Sequence, residues 1–290
     1  MVQTINIEDL KLSQLRKSDL KTLVGWAKKE GWNPGEQDYD IFWKTDPDGF
    51  YGFFYEDALI AGGSVVSYND EFGFMGLFIV HPDFRDQGIG RKLWYLRRNL
   101  LLERLKDGVA IGMDGVVAMQ PFYARGGFKM AFKDERYECM GQKLSYSDAI
   151  STIEDEDFEQ ILAYDLLSLG YNRQRFLKNW LLNPDSLSFK YLTENGLSGY
   201  ATIRKADHGY KIGPLFADSD EIAEDLYRAC LNWAEGEAVF LDIPMINKGA
   251  IALVEKYEAT YVFECARMYL GKPTNMEMDK VYGITTFELG

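Results

Sequence analysis

Two glycines and three basic side chains follow an apolar run, and together they have the composition of an anion-binding loop. Gly88 and Gly90 lack a Cβ atom, so a ligand can approach the backbone closely there. Arg85, Arg91 and Lys92 add positive charge at the same place. Where a helix begins, the first backbone N–H groups have no helical partner and favour a bound anion. The pattern therefore predicts a phosphate site on Arg85, Asp86, Gln87, Gly88, Ile89, Gly90, Arg91 and Lys92.

The glycine spacing separates this loop from two other phosphate-binding motifs. A Walker A loop needs Gly-x-x-x-x-Gly-Lys-Ser/Thr and a dinucleotide loop needs Gly-x-Gly-x-x-Gly, and residues 85–92 contain neither. The local charge favours an anion site, since residues 85–106 hold seven Lys and Arg against two acids. A solvated helix face or a plain glycine turn would show the same residues, and from composition both alternatives stay open.

The neighbouring elements must place this loop at the end of a buried strand. Residues 72–80 are a long apolar run, typical of a strand buried on both faces, and Pro82 ends it. A helix then begins at the loop. Periodicity and turn residues predict helices over 17–30, 90–105 and 116–125 and strands over 50–55, 58–68, 109–113 and 128–141, the last as one or two closing strands.

The loop and the order of elements resemble the GNAT superfamily of N-acetyltransferases. Its pyrophosphate loop reads Arg/Gln-x-x-Gly-x-Gly after a strand ending in Val-x-Pro, and residues 80–90 match this pattern. The family also has a tyrosine shortly before Gly-Phe, and Tyr123 precedes Gly127 and Phe128. The resemblance implies an α/β fold with a mixed sheet, acetyl-CoA as co-substrate without a metal, and direct attack of an amine on the thioester.

The resemblance also implies roles for single residues. Tyr123 stands where the family has an acid that protonates the departing CoA thiolate, although a packed aromatic at a helix end is the alternative. Phe78, Ile79 and Val80 would bind the pantetheine arm and the thioester through backbone groups. A β-bulge at this place would splay the strand from its neighbour and open the cleft.

The general base and the acceptor pocket have weaker signals. Some family members carry a Glu fourteen residues before the first loop glycine, and Phe74 stands there in this chain. Asp114 follows the strand predicted over 109–113, where it could act in catalysis or substrate binding or cap the next helix. Trp32 and Asn33 lie in a region that often walls the acceptor pocket, and a packed turn is the alternative.

The second half repeats the order of elements without the loop. At the loop's place, residues 217–222 contain three acids and no glycine or base, which would repel a pyrophosphate. The net charge is −2 for residues 1–144 and −11 for residues 145–290. We therefore predict two tandem GNAT-like domains, 1–144 with the acetyl-CoA loop and 145–290 degenerate and unable to bind CoA. The predicted elements of the second half are helices over 222–235 and 247–257 and strands over 188–191, 197–205, 210–216, 239–243 and 261–270.

Composition excludes several classes of function. A net charge of −13 argues against binding nucleic acid or an anionic membrane through the overall field. Three scattered cysteines and two histidines predict neither a disulfide framework nor a metal site, and they fit a reducing cytoplasm. No apolar run reaches the ~18 residues of a membrane span, and the N-terminus lacks the apolar core of a signal peptide.

Two functions remain open from the sequence. One is an acetyl-CoA-dependent N-acetyltransferase that acts on a primary amine of a small molecule or peptide, with the acidic second domain attracting a cationic acceptor. The other is a non-catalytic acyl-CoA-binding sensor or regulatory protein. The retained Tyr123 favours the enzyme, whereas the absent strand Glu leaves room for the sensor. The oligomeric state and the length of the acyl group stay open.

Overall fold

The computed structural model describes residues 5–290, which form fifteen strands and eight α-helices. The strands are Ser13–Gln14 (β1), Phe50–Tyr55 (β2), Ala58–Ser64 (β3), Val66–Tyr68 (β4), Phe72–Phe74 (β5), Ile79–Val80 (β6), Ile111–Val116 (β7), Lys129–Met140 (β8), Ile150–Thr152 (β9), Ser186–Thr193 (β10), Gly196–Lys205 (β11), Tyr210–Ala217 (β12), Ala238–Pro244 (β13), Thr260–Leu270 (β14) and Val281–Gly283 (β15). The helices are Lys17–Lys29 (α1), Asp38–Thr45 (α2), Ile89–Arg104 (α3), Gln120–Arg125 (α4), Phe158–Leu169 (α5), Gln174–Leu181 (α6), Asp220–Trp233 (α7) and Lys248–Lys256 (α8). Within residues 5–290, no helix is long and apolar enough to cross a membrane.

The strands form two sheets, and the larger one runs through both halves of the chain. The smaller sheet has the order β1-β2-β3-β6. The larger has the order β4-β5-β7-β14-β8-β13-β12-β11-β10-β9, with β15 also paired to β12. Helix α3 packs on both sheets, since Leu93 contacts the core beside β3 while Trp94 and Leu101 contact the core beside β7. The helix is therefore fixed at the junction of the two sheets.

The single strand predicted over residues 72–80 is wrong, because the run divides into β5 and β6. β5 pairs in parallel with β7, whereas β6 pairs antiparallel with β3 in the other sheet. Between them, Leu77 has a φ of 48°, which no extended strand contains. The strand predicted over residues 58–68 likewise divides into β3 and β4. The predicted bulge is thus a complete break, and it separates β6 from β7.

The closing strands exchange between the two halves, a pairing that the predicted domains 1–144 and 145–290 did not include. β14, from the second half, lies between β7 and β8 and pairs antiparallel with both. β8, from the first half, pairs in turn with β13. A pattern of alternating residues specifies a strand and its faces but not its partner, so sequence alone could not find this exchange.

In the second half, β15 fills the place that stays open in the first. β12 pairs with β13 only over Tyr210–Ile212. Farther along β12, Leu215 and Phe216 pair with β15 instead. The N–H of Ile284 then donates to the carbonyl of Asp242 on β13 at 2.8 Å. The segment from residue 281 therefore bridges β12 and β13 where they diverge.

Candidate active site

A cleft of about 630 Å³ opens where β6 and β7 diverge. Val80 of β6 and Asp114 of β7 face each other across it. Gly88 lines one end, and Tyr123 of α4 lines the wall near β7. The break in the apolar run thus places the loop, both strands and the predicted tyrosine around one space.

The loop ends at Gly88, which begins α3 in a conformation that favours glycine. Its φ is 80°, and no side chain caps the helix. The N–H of Lys92 donates to Gly88 O at 3.1 Å and closes the first turn. The N–H groups of Ile89, Gly90 and Arg91 therefore have no acceptor in the helix. Three free donors at the positive end of a sixteen-residue helix fit the phosphates of CoA.

Gly90 lets the helix lie directly on β6. A Cβ at this position would stand 3.2 Å from Val80 Cγ2 and 3.4 Å from Phe78 Cζ, which is tighter than most such contacts. The missing side chain thus allows close packing between helix and strand, in addition to the predicted approach of a ligand. This packing brings the free N–H groups to the edge of the strand.

The predicted basic side chains of the loop have different surroundings. Arg85 is held in place, since its Nε donates to Val80 O at 3.0 Å and its guanidinium pairs with Glu30 at 2.5 Å. Lys92 donates to a backbone carbonyl of the N-terminal segment at 2.7 Å. Arg91 is exposed and lines the cleft, so its side chain can meet a phosphate.

The other loop residues divide between cleft and core. Asp86 is exposed beside the cleft with a φ of 61°. Gln87 accepts the N–H of Ile5 at 3.3 Å, and Ile89 is buried in the core. Farther along, Arg104 pairs with Asp46 at 2.8 Å, so the basic excess of residues 85–106 serves the loop only in part.

The edge of β6 presents backbone groups to the cleft. The N–H of His81 donates to Ile60 O of β3 at 2.9 Å. Because alternate residues of an antiparallel strand direct their backbone groups to opposite edges, the N–H groups of Val80 and Phe78 face the cleft. Ile79, which the sequence also assigned to the pantetheine site, has its backbone in the ladder with Gly62.

A buried arginine holds the break between β5 and β6. Arg97 is 0% exposed and donates to the carbonyls of Ser64 and Gly76, the latter at 2.9 Å. The Gly76 N–H donates to Ser64 Oγ at 2.8 Å. A Cβ on Gly63 would stand 2.2 Å from the guanidinium carbon, so Gly63 makes the room. Burial lowers the pKa of Arg97 to about 9, which leaves it a cation at neutral pH.

Tyr123 is 5% exposed on the cleft wall. Its ring stacks on Trp94 of α3 with centroids 5.8 Å apart. A Cβ on Gly115 would stand 2.9 Å from the ring, so β7 also packs closely against it. Burial raises the pKa of the Tyr123 hydroxyl, and the charge of Arg97 opposes this shift. The phenol is therefore protonated at neutral pH and is able to donate a proton.

Asp114 lies within β7, because the strand runs three residues beyond the predicted end. Its carboxylate accepts from Arg267 of β14 at 2.6 and 2.9 Å. Burial raises the pKa of Asp114, whereas the Arg267 charge lowers it. The alternative that Asp114 caps the next helix is wrong, since the 3₁₀ turn at Val117–Met119 has no side-chain cap. A catalytic or binding role for Asp114 stays a prediction.

Of the two predicted acceptor residues, Trp32 lines the cleft and Asn33 does not. The Trp32 carbonyl accepts from Arg136 at 3.1 Å. Asn33 instead bonds the backbone of His208 at 2.9 and 2.8 Å, in the second half of the chain. An acceptor role for Trp32 therefore stays a prediction, while Asn33 connects the two halves.

Sequence reasoning missed the part of the cleft wall that the second half supplies. Phe263 and Cys265 of β14 and Phe287 and Glu288 of the C-terminal segment line the same space. Their local sequence carries no site pattern, and the predicted domain bounds placed them in the second domain. The one available signal is the continuing apolar pattern over 281–289, after the strand expected to complete the fold. Among residues 5–290, no group of three or more His, Cys, Asp or Glu is placed to hold a metal ion.

Comparisons with known proteins agree with this fold. Residues 14–128 match the "Acetyltransferase (GNAT) family" and residues 161–283 match the "Acetyltransferase (GNAT) domain". The two regions together span well over half of the chain, which therefore belongs to the GNAT superfamily and has the tandem arrangement.

Two relatives match most of the chain. A holothin acyltransferase of Pseudoalteromonas sp. (strain SANK 73390) is 29% identical over 91% of this chain and 89% of its own length. The uncharacterised N-acetyltransferase YitH of Bacillus subtilis (strain 168) is 24% identical over 82% of each chain. The family matches and these relatives identify the protein as an acyltransferase of the GNAT type. Members of this family use acyl-CoA and an acceptor substrate.

Two solved structures share the fold. A putative acetyltransferase from Pyrococcus horikoshii has a TM-score of 0.83 and 21% identity, over 99% of this chain and 98% of that one. A tandem GNAT protein from the clavulanic acid biosynthesis pathway has a TM-score of 0.63 and 12% identity, over 92% of this chain and all of that one. At these identities the likeness concerns the fold alone, and it includes the pairing of two halves.

Proposed function

We propose that this protein is an acetyl-CoA-dependent N-acetyltransferase that acts on a primary amine of a small molecule or peptide. One observation carries the proposal. The free N–H groups at the start of α3, the exposed edge of β6 and the protonated Tyr123 line a single continuous cleft. The free N–H groups suit the pyrophosphate, and the edge of β6 suits the pantetheine arm. Together they direct the thioester toward Tyr123.

The reaction follows from this arrangement. The neutral amine attacks the thioester carbonyl, so that a C–N bond forms and the C–S bond breaks. A backbone N–H of Phe78 or Val80 can polarise the carbonyl oxygen. Tyr123 gives its phenolic proton to the departing sulfur and later regains one from solvent. Because burial raises the pKa of Tyr123, its phenol stays protonated across the neutral pH range.

We also propose that the second half binds no CoA. The acids at the place of its loop are engaged within the fold: Asp218 accepts from Tyr164 at 2.9 Å and Asp220 from Tyr282 at 2.5 Å. β15 occupies the space between β12 and β13 where an arm would have to enter. Isothermal titration with CoA is expected to give one molecule per chain, and two would contradict this part of the proposal.

The proposed reaction is tested by thiol release from acetyl-CoA over a panel of primary amines. Tyr123→Phe is expected to lower kcat by about 100-fold, because general acid catalysis contributes on the order of 10²–10⁴-fold. The KM for acetyl-CoA should change little, since the ring and its stacking on Trp94 remain. Tyr146→Phe, at an exposed position, is the matched control.

The alternative function is an acyl-CoA-binding sensor, and the same assay separates the two. Tight binding of CoA without turnover of any amine, together with no effect of Tyr123→Phe, would favour the sensor. The relative named holothin acyltransferase supports acyl transfer as the reaction.

A further inference from the structure

The C-terminal segment, residues 281–290, is held by residues of both halves of the chain. The Tyr68 hydroxyl donates to Leu289 O at 2.8 Å, and Arg173 donates to Gly290 O at 3.0 Å. All of these groups are buried. The last residues are therefore a built part of the interface between the halves.

This segment runs beside the break between β5 and β6. A Cβ on Gly76 would stand 1.9 Å from Glu288 O, and one on Gly290 would stand 2.8 Å from the Phe74 ring. The segment thus lies alongside residues 74–76, with Glu288 next to the break. Residues 72–80 themselves contain no acid, so the neighbouring segment supplies the carboxylate at this place.

Four acids line the cleft. Three of them either pair with an arginine or lie on the phosphate loop. Glu30 pairs with Arg85 at 2.5 Å, Asp86 lies on the phosphate loop, and both oxygens of Asp114 accept from an arginine. Glu288 is 3% exposed and accepts the Thr286 hydroxyl on Oε2. Its Oε1 has no hydrogen-bond partner within residues 5–290.

Aromatic rings line the same end of the cleft as Glu288. The rings of Phe263 and Phe287 lie 5.6 Å apart, and Arg136 packs over both, at 4.6 and 5.4 Å from their centroids. Trp32 completes an apolar wall at this end of the cleft. An amine that enters here loses water, which favours its neutral, nucleophilic form once its proton has an acceptor.

From this geometry we infer that Glu288 is the general base of the reaction, supplied by the second half of the chain to the cleft of the first. The inference rests on the proposed acetyl transfer. The free oxygen of Glu288 takes the proton that the amine nitrogen loses as its C–N bond to the acetyl carbon forms. The thiolate takes its proton from Tyr123, and Glu288 passes its own to solvent. Charges and protons therefore balance without another co-reactant.

The charged groups around Glu288 come from several packed elements. They are Asp114 of β7, Arg136 of β8, Asp38 of α2 and Lys211 of β12. Two acids and two bases thus share its surroundings. Replacing a neighbour would also change the charge around Glu288. The role of Glu288 is therefore tested by replacing Glu288 itself.

The test is Glu288→Gln, which keeps the shape and an acceptor for Thr286 but removes the base. It uses the amine that the wild type turns over fastest in the thiol-release panel, between pH 6 and 9. We expect kcat to fall by about 100-fold while CoA affinity stays within about twofold. Asp279→Asn, an exposed change of the same kind two residues before β15, is the control and should match the wild type.

Each outcome decides the inference. Turnover by Glu288→Gln at the wild-type rate overturns the role of Glu288 and leaves the proposed function standing. If the wild type binds CoA but turns over no amine, the proposed function fails and the inference fails with it. If Glu288→Gln does not fold, Glu288→Ala with added formate replaces it: recovery of kcat supports a base, and no recovery overturns it.

Discussion

Gly76→Ala tests whether the C-terminal segment and the break between β5 and β6 depend on each other. The added Cβ would stand 1.9 Å from Glu288 O and 2.8 Å from its carbonyl carbon, and such contacts essentially never fall below 3.0 Å. The neighbour is backbone, so it must move by about 1 Å. Overpacking of this kind costs roughly 1–3 kcal/mol.

The movement also affects hydrogen bonds on both sides of the contact. Gly76 bonds Ser64 and Arg97, and a weakened bond of this type costs about 0.5–1.5 kcal/mol. We therefore expect the free energy of unfolding to fall by about 2–4 kcal/mol. Because a misplacement of about 1 Å lowers activity by up to ~100-fold, kcat should also fall at least tenfold.

Urea unfolding and steady-state thiol release measure the two effects. Gly25→Ala is the matched control, since a Cβ there meets nothing within 4 Å on helix α1. It should raise the free energy of unfolding by about 0.5–1 kcal/mol through helix propensity and leave kcat unchanged. If Gly76→Ala keeps both its stability and its kcat, the segment does not lie against the break and the reasoning fails.

Three further predictions concern the loop, a buried lysine and a buried ion pair. Gly88→Ala, at a φ of 80°, should raise the KM for acetyl-CoA by about tenfold and cost roughly 1–2 kcal/mol of stability; an unchanged KM would contradict the loop assignment. Burial lowers the pKa of Lys211 to about 8, against 10.5 in the unfolded chain. Between pH 8 and 10.5 the unfolded chain therefore holds a proton that the folded chain has lost. As a result, Lys211 makes the free energy of unfolding rise with pH in this range. Lys211→Met should remove that rise in urea unfolding and stabilise the protein at pH 7 by up to roughly 3 kcal/mol. Asp114→Asn leaves Arg267 buried without its carboxylate and should cost about 3–5 kcal/mol in urea unfolding, and an unchanged free energy of unfolding would contradict this reading of the ion pair.

The sequence predicts most of the local elements. The spacing of Leu20, Leu23 and Val24 marks the buried face of α1, and the two glycines mark the start of α3. These features depend on neighbours within a few residues of the chain, which a pattern of residue types records. For the same reason, the first region that matches GNAT acetyltransferases is visible from its motif, whereas the second is visible only from its order of elements.

The pairing of distant strands and the completion of the cleft could not be predicted in this way. Nothing in residues 260–270 shows that they pair with β7, since any apolar strand would satisfy that edge. The buried site of Arg97 depends on the absence of a side chain at Gly63, far away in sequence. Glu288 likewise acquires its place only through the route of the C-terminal segment.

The exchange of strands has a consequence for synthesis on the ribosome. The ribosome adds about 140 residues between the end of β7 and the start of its neighbour β14. At translation rates of about 5–20 residues per second, this interval lasts roughly 7–30 s. During this time an apolar strand edge is free to pair with other nascent chains. The first half therefore cannot complete its sheet before β14 has been synthesised, and the two halves complete their shared sheet together rather than one domain after the other.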